Sequence, residues 1–466
     1  MGLIRTVRNP TLSLFQSAVD DLVSRAQQDA EQVRPHLGHP MVLASTVLSE
    51  LAHEGQTLPD QPPPEVAALG PQAATTWTAI RLLHQLFQAR LEGNNDLAQK
   101  IEDDLKASTV DPGWIEALAA YVAYFGPDGK LRDVPYVRHQ KPDDFVLETL
   151  PPNATVVVIG DWGSGTDNAT EVMAQVARWS PDVVFHLGDI YYSGTERETK
   201  ANFLDICNRV LDRSGGKAAL YTLTGNHDMY CGGGPYYQLL SELNPTPPYR
   251  PEQAQPASYF AVRNSAWQFL SMDTGLHDRD PFTVAEVVTF LEDTEAAWHL
   301  DKINRFHAAR GRTILLSHHQ LFSAYNGIGK LSDKSPGQEA YNPKLLATFQ
   351  DVLAQGKVAA WFWGHEHNLE IYEPYGPINK GRCIGHGAIP VFAAQTPYQL
   401  VEGIPSPPRL VSDPKTGQPV QLGQNAQGVY NHGYVLLKLN DAARTAEVSY
   451  YDEGNWGAPL YTETLP

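Results

Sequence analysis

The sequence is poor in sulfur, with 3 cysteines and 5 methionines in 466 residues. Cys207, Cys231 and Cys383 are scattered and odd in number, which argues against a disulfide framework and predicts three reduced thiols. Positive charge is scarce too. Lys and Arg total 35 against 53 Asp and Glu, a formal net charge of -18. Binding to nucleic acid or to an anionic membrane needs a basic face, so neither partner is expected. A small phosphorylated substrate is still admissible, because bound metal cations would dominate the local field. No apolar run approaches the roughly 18 residues of a membrane span. Met1-Gly-Leu-Ile-Arg-Thr-Val-Arg-Asn-Pro10 is basic with no apolar stretch behind it, unlike a secretory signal, so a cytoplasmic protein is expected. No pattern in the chain specifies an oligomeric state.

Hydrophobic residues make up 42% and charged residues 19%, the balance of a globular chain, long enough for one large domain and a smaller one. Residues 1–140 read as a helical region of unknown role. Phe15, Val19, Leu22 and Ala26 share one helical face, and Trp77, Ile80, Leu83, Phe87 and Leu91 share another. Leu58-Pro-Asp-Gln-Pro-Pro-Pro64 separates them as a linker or loop. A third helix is expected over Trp114–Tyr124, stopped by Gly126-Pro-Asp-Gly129.

From about residue 145 to 466, β-branched runs alternate with helical segments, the texture of an α/β domain. Strands are expected at 155–159, 183–187, 219–223, 259–262, 267–272, 313–316 and 358–363, and a closing hairpin at 432–439 with 446–451. Helices are expected at 168–179, capped from Thr166, Asp167 or Asn168, and at 284–304 and 345–354. Residues 396–430, rich in Pro, Gly and Gln, read as a long surface excursion.

Five of these strands end in residues suited to metal chemistry: Gly160-Asp-Trp-Gly163, Gly188-Asp-Ile-Tyr-Tyr192, Gly225-Asn-His-Asp228, Ser317-His-His319 and Gly364-His-Glu-His367. Ligands of α/β sheets bind beyond the carboxyl ends of strands, so the five ends are expected to converge. A carboxylate such as Asp189 has two oxygens and could bridge two cations. Asn226 offers a neutral carbonyl oxygen. His365 and His367 point the same way in extended chain. A glycine before four of the five groups is expected to permit a sharp turn. Two cations about 3.5–4 Å apart clamp a phosphoryl group and activate a water.

The set Gly-Asp-x-Gly, Gly-Asp-x-x-Tyr, Gly-Asn-His, Leu-x-x-His and Gly-His-x-His, in that order over about 155–370, resembles the five-block signature of the purple acid phosphatases within the calcineurin-like metallophosphoesterases. The resemblance implies a four-layer α/β/β/α sandwich with the helical region added at its N-terminus. It implies a first metal on Asp161, Tyr192 and His367, a second on Asn226, His318 and His365, and Asp189 bridging them. Most calcineurin-like enzymes carry a histidine in the first block where this chain has Gly163, with Tyr192 supplying the extra ligand; Tyr191 beside it leaves the choice of tyrosine open. Three anionic side chains at the first metal favour Fe(III), with Zn(II), Mn(II) or Fe(II) at the second. The implied reaction is hydrolysis of a phosphomonoester by a metal-bound hydroxide. His227 would stabilise the phosphoryl oxygens or protonate the leaving group, oriented by Asp228 or Asp189, with His319 a second candidate acid. A phosphodiesterase acting on nucleotides or lipid head groups uses the same metals. A non-catalytic metal-binding interaction module predicts lost ligands, and none of the positions named is missing.

Overall fold

The computed structural model describes residues 131–280, 287–455 and 457–466, with scattered positions between 81 and 126. The chain divides into two compact units. One comprises Met1–Gly113, Pro390–Pro397 and Gln424–Tyr430; the other comprises Trp114–Ile389, Tyr398–Gly423 and Asn431–Pro466.

The larger unit is built on two sheets. Its strands in chain order are β1 (Val146–Leu147), β2 (Thr155–Ile159), β3 (Val183–His186), β4 (Ala219–Thr222), β5 (Phe260–Arg263), β6 (Trp267–Ser271), β7 (Arg312–Leu316), β8 (Val358–Trp363), β9 (Leu369–Ile371), β10 (Gly381–Ile384), β11 (Gly433–Asn440), β12 (Thr445–Asp452) and β13 (Tyr461–Leu465). The seven-stranded sheet runs β1-β5-β6-β7-β8-β10-β9, and the six-stranded sheet runs β13-β12-β11-β2-β3-β4. Parallel runs form one half of the six-stranded sheet, β2-β3-β4, and the middle of the seven-stranded one, β6-β7-β8-β10, so the strands of each run point their carboxyl ends the same way.

Side-chain alternation sorts each strand between two faces. Val157 and Ile159 of β2 and Val184 of β3 pack in a core with the helix Asp167–Ala177, whose Val172, Met173 and Val176 are buried. Leu270 of β6 and Leu315 of β7 pack in a second core with the helices Asp293–Ala308 and Pro343–Ala354, through Trp298, Ile303, Leu345 and Phe349. The opposite faces meet each other: Phe185 of β3 stacks on Phe269 of β6 at 5.1 Å, and Tyr221 of β4 lies 5.5 Å from Phe260 of β5. Helices, sheet, sheet and helices therefore form the four expected layers. β2 and β8 fall on the residues expected of them, and Thr166 caps its helix by accepting from the Ala169 N–H.

Differences from expectation have local causes. The helix expected from Val284 starts at Asp293, and residues 287–292 are not helical. Asp293 in its first turn and Arg305 in its last complement the helix dipole, and they mark its ends better than the apolar spacing does. β1, β9, β10 and β13 were not expected. β10 carries Arg382, a charge that reads as exposed, yet the side chain is 1% accessible and paired with Glu463 of β13 at 2.7 Å. Lys380 Nζ and the Tyr450 hydroxyl also bond Glu463. Within the 396–430 stretch, Leu410, Val420 and Leu422 are buried, and Leu410 bridges Tyr372.

In the smaller unit, the helix Asn95–Leu105 presents Ala98 and Ile101 to Leu82, Ala89, Phe392 and Val429. Arg81 donates to the Gln427 carbonyl at 3.0 Å. Phe15, Val19, Leu22, Ala26, Trp77, Ile80, Leu83, Phe87 and Leu91, and residues 114–119 of the third expected helix, lie outside the described residues. No helix among the described residues is long and apolar enough to cross a membrane.

Burial opposes ionisation of Glu463, but its hydrogen bonds and attraction to Arg382 outweigh that and hold its carboxyl down at about 2, from the usual 4.5. A depressed carboxylate stabilises the fold fully above its unfolded value and loses that contribution as pH falls through the folded one. Acid unfolding should therefore steepen between pH 4.5 and 2. Glu463→Gln leaves Arg382 buried without its partner and should lower stability by about 3–5 kcal/mol, read by urea denaturation at pH 7; the variant should show less loss than wild type across that acid window.

Candidate metal centre

The ends of β2, β3, β4, β7 and β8 carry the five sequence blocks to one place. Three of the residues they deliver, Asp161, Asp189 and His365, have positive φ (54, 72 and 67°), a region that non-glycine residues seldom occupy. The glycines before them serve a different purpose from the expected one. Only Gly188 itself has a positive φ among those four. A Cβ on Gly225 would sit 2.0 Å from the Asp189 carboxylate, and one on Gly364 would sit 2.4 Å from that of Asp161. These glycines are gaps into which the carboxylates fit, while the functional residues themselves make the turns.

Around Asp189, two sets of side chains gather. On one side the Tyr191 hydroxyl is 3.1 Å from Asp161 Oδ1, from Asp189 Oδ2 and from His367 Nε2. On the other, His318 Nε2 is 3.1 Å from Asn226 Oδ1 and 3.4 Å from Asp189 Oδ2, and His365 Nδ1 is 3.1 Å from Asn226 Oδ1. Asp161 and His367 thus lie on one side and Asn226, His318 and His365 on the other, and the tyrosine on the first side is Tyr191. Tyr192 was expected to reach inward, but its N–H donates to Glu198 and its carbonyl accepts from His227 Nδ1 at 2.7 Å. Tyr191 is fully buried in the cluster instead. Alternation put the two tyrosines on opposite sides; only the family spacing chose between them. Nor is there room for a histidine at 163, where a Cβ would lie 2.8 Å from the Asp189 carbonyl oxygen and Ile190 Cα.

The chemistry of these atoms fits cations. The His318 Nδ1–H donates to the Leu187 carbonyl at 3.0 Å, which leaves Nε2 as a lone pair. Asn226 donates its amide to the Tyr230 hydroxyl at 2.7 Å, which turns Oδ1 toward His318. Asn226 Oδ1, Asp189 Oδ2 and His318 Nε2 are then three acceptors facing one another. Tyr191 has one proton for three acceptors. Asp161, Asp189 and His318 offer ligand atoms within 4.8 Å of one another, as do His318, His319 and His365. Burial pushes the Asp161 carboxyl up to about 8. Burial, then repulsion from Asp161 and Asp228, holds Asp189 well above the usual carboxylate range. Burial drives His365 and His367 down to about 3, the neutral state in which imidazole coordinates metal. A cation beside carboxylates this far from water favours their charged form.

The expected catalytic residues part company. The His227 ring stands 3.8 Å from Asp189 Oδ2 and 4.5 Å from the Tyr191 ring, beside the first set. Asp228 does not orient that ring. Its carboxylate accepts from the main-chain N–H groups of Gly225, Asp189 and Ile190, at 2.8, 2.9 and 3.2 Å. It ties the loop after β4 to the loop after β3, a task invisible in sequence because its partners are backbone. His319 bonds Thr274 Oγ1 through Nδ1 and Asp278 Oδ2 through Nε2, both at 3.0 Å. Both ring nitrogens are thus engaged, which fixes the ring in place. His186 is a buried core histidine bonded to Thr222 Oγ1 at 2.9 Å, and His386 is buried against the Tyr451 carbonyl.

Residues 154–369 match the model of the calcineurin-like phosphoesterase family. Among solved structures, a purple acid phosphatase from yellow lupin (Lupinus luteus) seeds aligns at 14% identity and a TM-score of 0.43, covering 67% of this chain and 54% of that one. The chain thus spans about half the lupin protein's length. A dimetal phosphatase from Danio rerio aligns at 12% identity and a TM-score of 0.40, covering 68% and 99% of the two chains. GAP50, the anchor in the inner membrane complex of Plasmodium, aligns at 13% and 0.40, covering 67% and 88%. No protein of curated function matches the chain.

Because Asp228 holds Asp189 through main-chain bonds, Asp228→Ala should weaken metal retention about 10–100-fold. Competition with a graded chelator, followed by elemental analysis, measures this; metal retention equal to wild type would mean that the Asp189 loop holds its shape without the tie.

Proposed function

We propose that this chain, whose residues 154–369 belong to the calcineurin-like phosphoesterase family, is a metal-dependent phosphoester hydrolase, a phosphomonoesterase of the purple acid phosphatase type. The observation that carries the reading is the pair of acceptor sets sharing Asp189. Asp161, Tyr191 and His367 would hold one cation, Asn226, His318 and His365 the other, with Asp189 between them. When bound, the two cations supply the positive charge that clamps a phosphoryl group and lowers the pKa of a water toward neutrality.

The chain's own residues do the rest. The Tyr191 phenol and the Asp161 and Asp189 carboxylates make the first position rich in hard anionic oxygen, which favours Fe(III) there. Two imidazoles and an amide oxygen make the second softer, suited to Zn(II), Mn(II) or Fe(II). His227 keeps its Nδ1–H on the Tyr192 carbonyl, so its Nε2 faces the site as a neutral lone pair. Burial drives that ring down to about 3. In that state His227 accepts a proton or orients a water; it protonates a leaving group only after taking up a proton during the reaction. Asp228 keeps Asp189 in place.

The test begins with metal counted per chain by elemental analysis: two ions, one of them iron, are expected. Tyr191→Phe should remove the visible charge-transfer band that a phenolate gives on Fe(III), and Tyr192→Phe should keep it. The reverse result would return the ligand role to Tyr192, and two ions without iron would remove the purple-type assignment. Turnover of 4-nitrophenyl phosphate faster than bis(4-nitrophenyl) phosphate is expected; the opposite preference would make the protein a diesterase.

A further inference from the structure

A cavity of about 200 Å³ opens beside the second set of acceptors, with His365 and His319 in its wall. Among the described residues lining it, none is Lys or Arg. Its acidic wall is Asp278, whose Oδ2 takes His319 Nε2 and whose Oδ1 is buried without a partner. Val287 and Ile328 add apolar surface. Asn342 and Thr289 also line it, but they are bonded to each other. Gln320 differs from them: it is only 5% exposed, it lines the cavity, and its amide makes no hydrogen bond within the protein. An amide open to the cavity and without a partner in the protein is available to bond a ligand there.

We propose that this cavity receives the alcohol portion of the phosphoester and selects an uncharged, hydrogen-bonding alcohol, bonded by the Gln320 amide, over one that carries a further anionic group. The inference rests on the phosphoesterase reading. Hydrolysis breaks the bond between phosphorus and the alcohol oxygen and forms one to a water oxygen, and a proton from that water leaves with the alcohol. The phosphoryl group must lie at the acceptor sets, so the alcohol extends into the neighbouring space, which His365 adjoins. There an amide donates and accepts at once, as a hydroxyl requires. A carboxylate or second phosphate would meet Asp278, and no Lys or Arg among the described lining residues offsets it. Polyphosphates and phosphorylated carboxylic acids are accordingly poor substrates.

Glycerol 3-phosphate and 3-phosphoglycerate test this as a matched pair, since their alcohols differ chiefly in a hydroxymethyl against a carboxylate; propyl phosphate lacks the hydrogen-bonding groups. The metal-loaded full chain should favour glycerol 3-phosphate over 3-phosphoglycerate in kcat/KM by about tenfold or more. It should favour glycerol 3-phosphate over propyl phosphate by about threefold to tenfold. Gln320→Leu should erase the second preference, and Gln320→Lys should lower or invert the first. Each is a ratio within one protein sample, so partial misfolding of a variant does not alter it. Calorimetric titration with the corresponding phosphonates should reproduce the order without turnover. Equal kcat/KM for the matched pair in wild type, or a ratio unmoved in Gln320→Lys, overturns the inference while leaving the phosphoesterase reading standing. Failure of the metal-loaded protein to hydrolyse 4-nitrophenyl phosphate overturns that reading itself.

Discussion

At the centre of this protein there are more lone pairs than protons. Asn226 Oδ1, Asp189 Oδ2 and His318 Nε2 face one another, and the Tyr191 hydroxyl meets three acceptors with a single hydrogen. Such a gathering repels itself unless cations fill it, and it survives folding only if every participant is anchored elsewhere. The anchors are visible. Leu187 fixes His318, Tyr230 fixes Asn226, and Asp228 fixes the backbone that carries Asp189. Behind them, parallel strands of both sheets bring the five chain segments to the same edge. The two apolar cores and the stacked inter-sheet faces stabilise the layers against this local repulsion.

The close approach also explains the glycines. Carboxylates meeting over two sheet edges need neighbours without side chains, and Gly225 and Gly364 are those neighbours. Strain is carried by Asp161, Asp189 and His365, whose conformations other residues would avoid. Purpose and distortion thus fall on the same positions, as expected where the surrounding fold dictates the local conformation.

Much of this was legible in the sequence because it depends on periodicity and order. Val-rich runs ending in Gly-Asp, Gly-Asn or Gly-His identify parallel strands and their carboxyl ends without reference to any contact. What could not be read depends on contacts between distant segments. Tyr191 and Tyr192 differ in sequence only by one step, and the turn after β3 decides which hydroxyl faces inward. The role of Asp228 lies in three backbone N–H groups that any residue would supply. His319 resembles a free acid until Asp278 and Thr274 come into view from the loop after β6. Arg382 hides β10 because its partner, Glu463, lies 81 residues away.

The smaller unit draws its core from distant stretches of chain, with Leu82, Ala98 and Ile101 contributed early and Phe392 and Val429 late. A ribosome that has released the first 113 residues has therefore not released all that this unit requires. Its apolar helix face must wait, exposed or held by another factor, while nearly three hundred further residues are synthesised and the intervening sheets have time to form. The order of synthesis is then smaller unit begun, sheets built, smaller unit finished. A fragment ending before residue 424 would leave that first segment without part of its own interior.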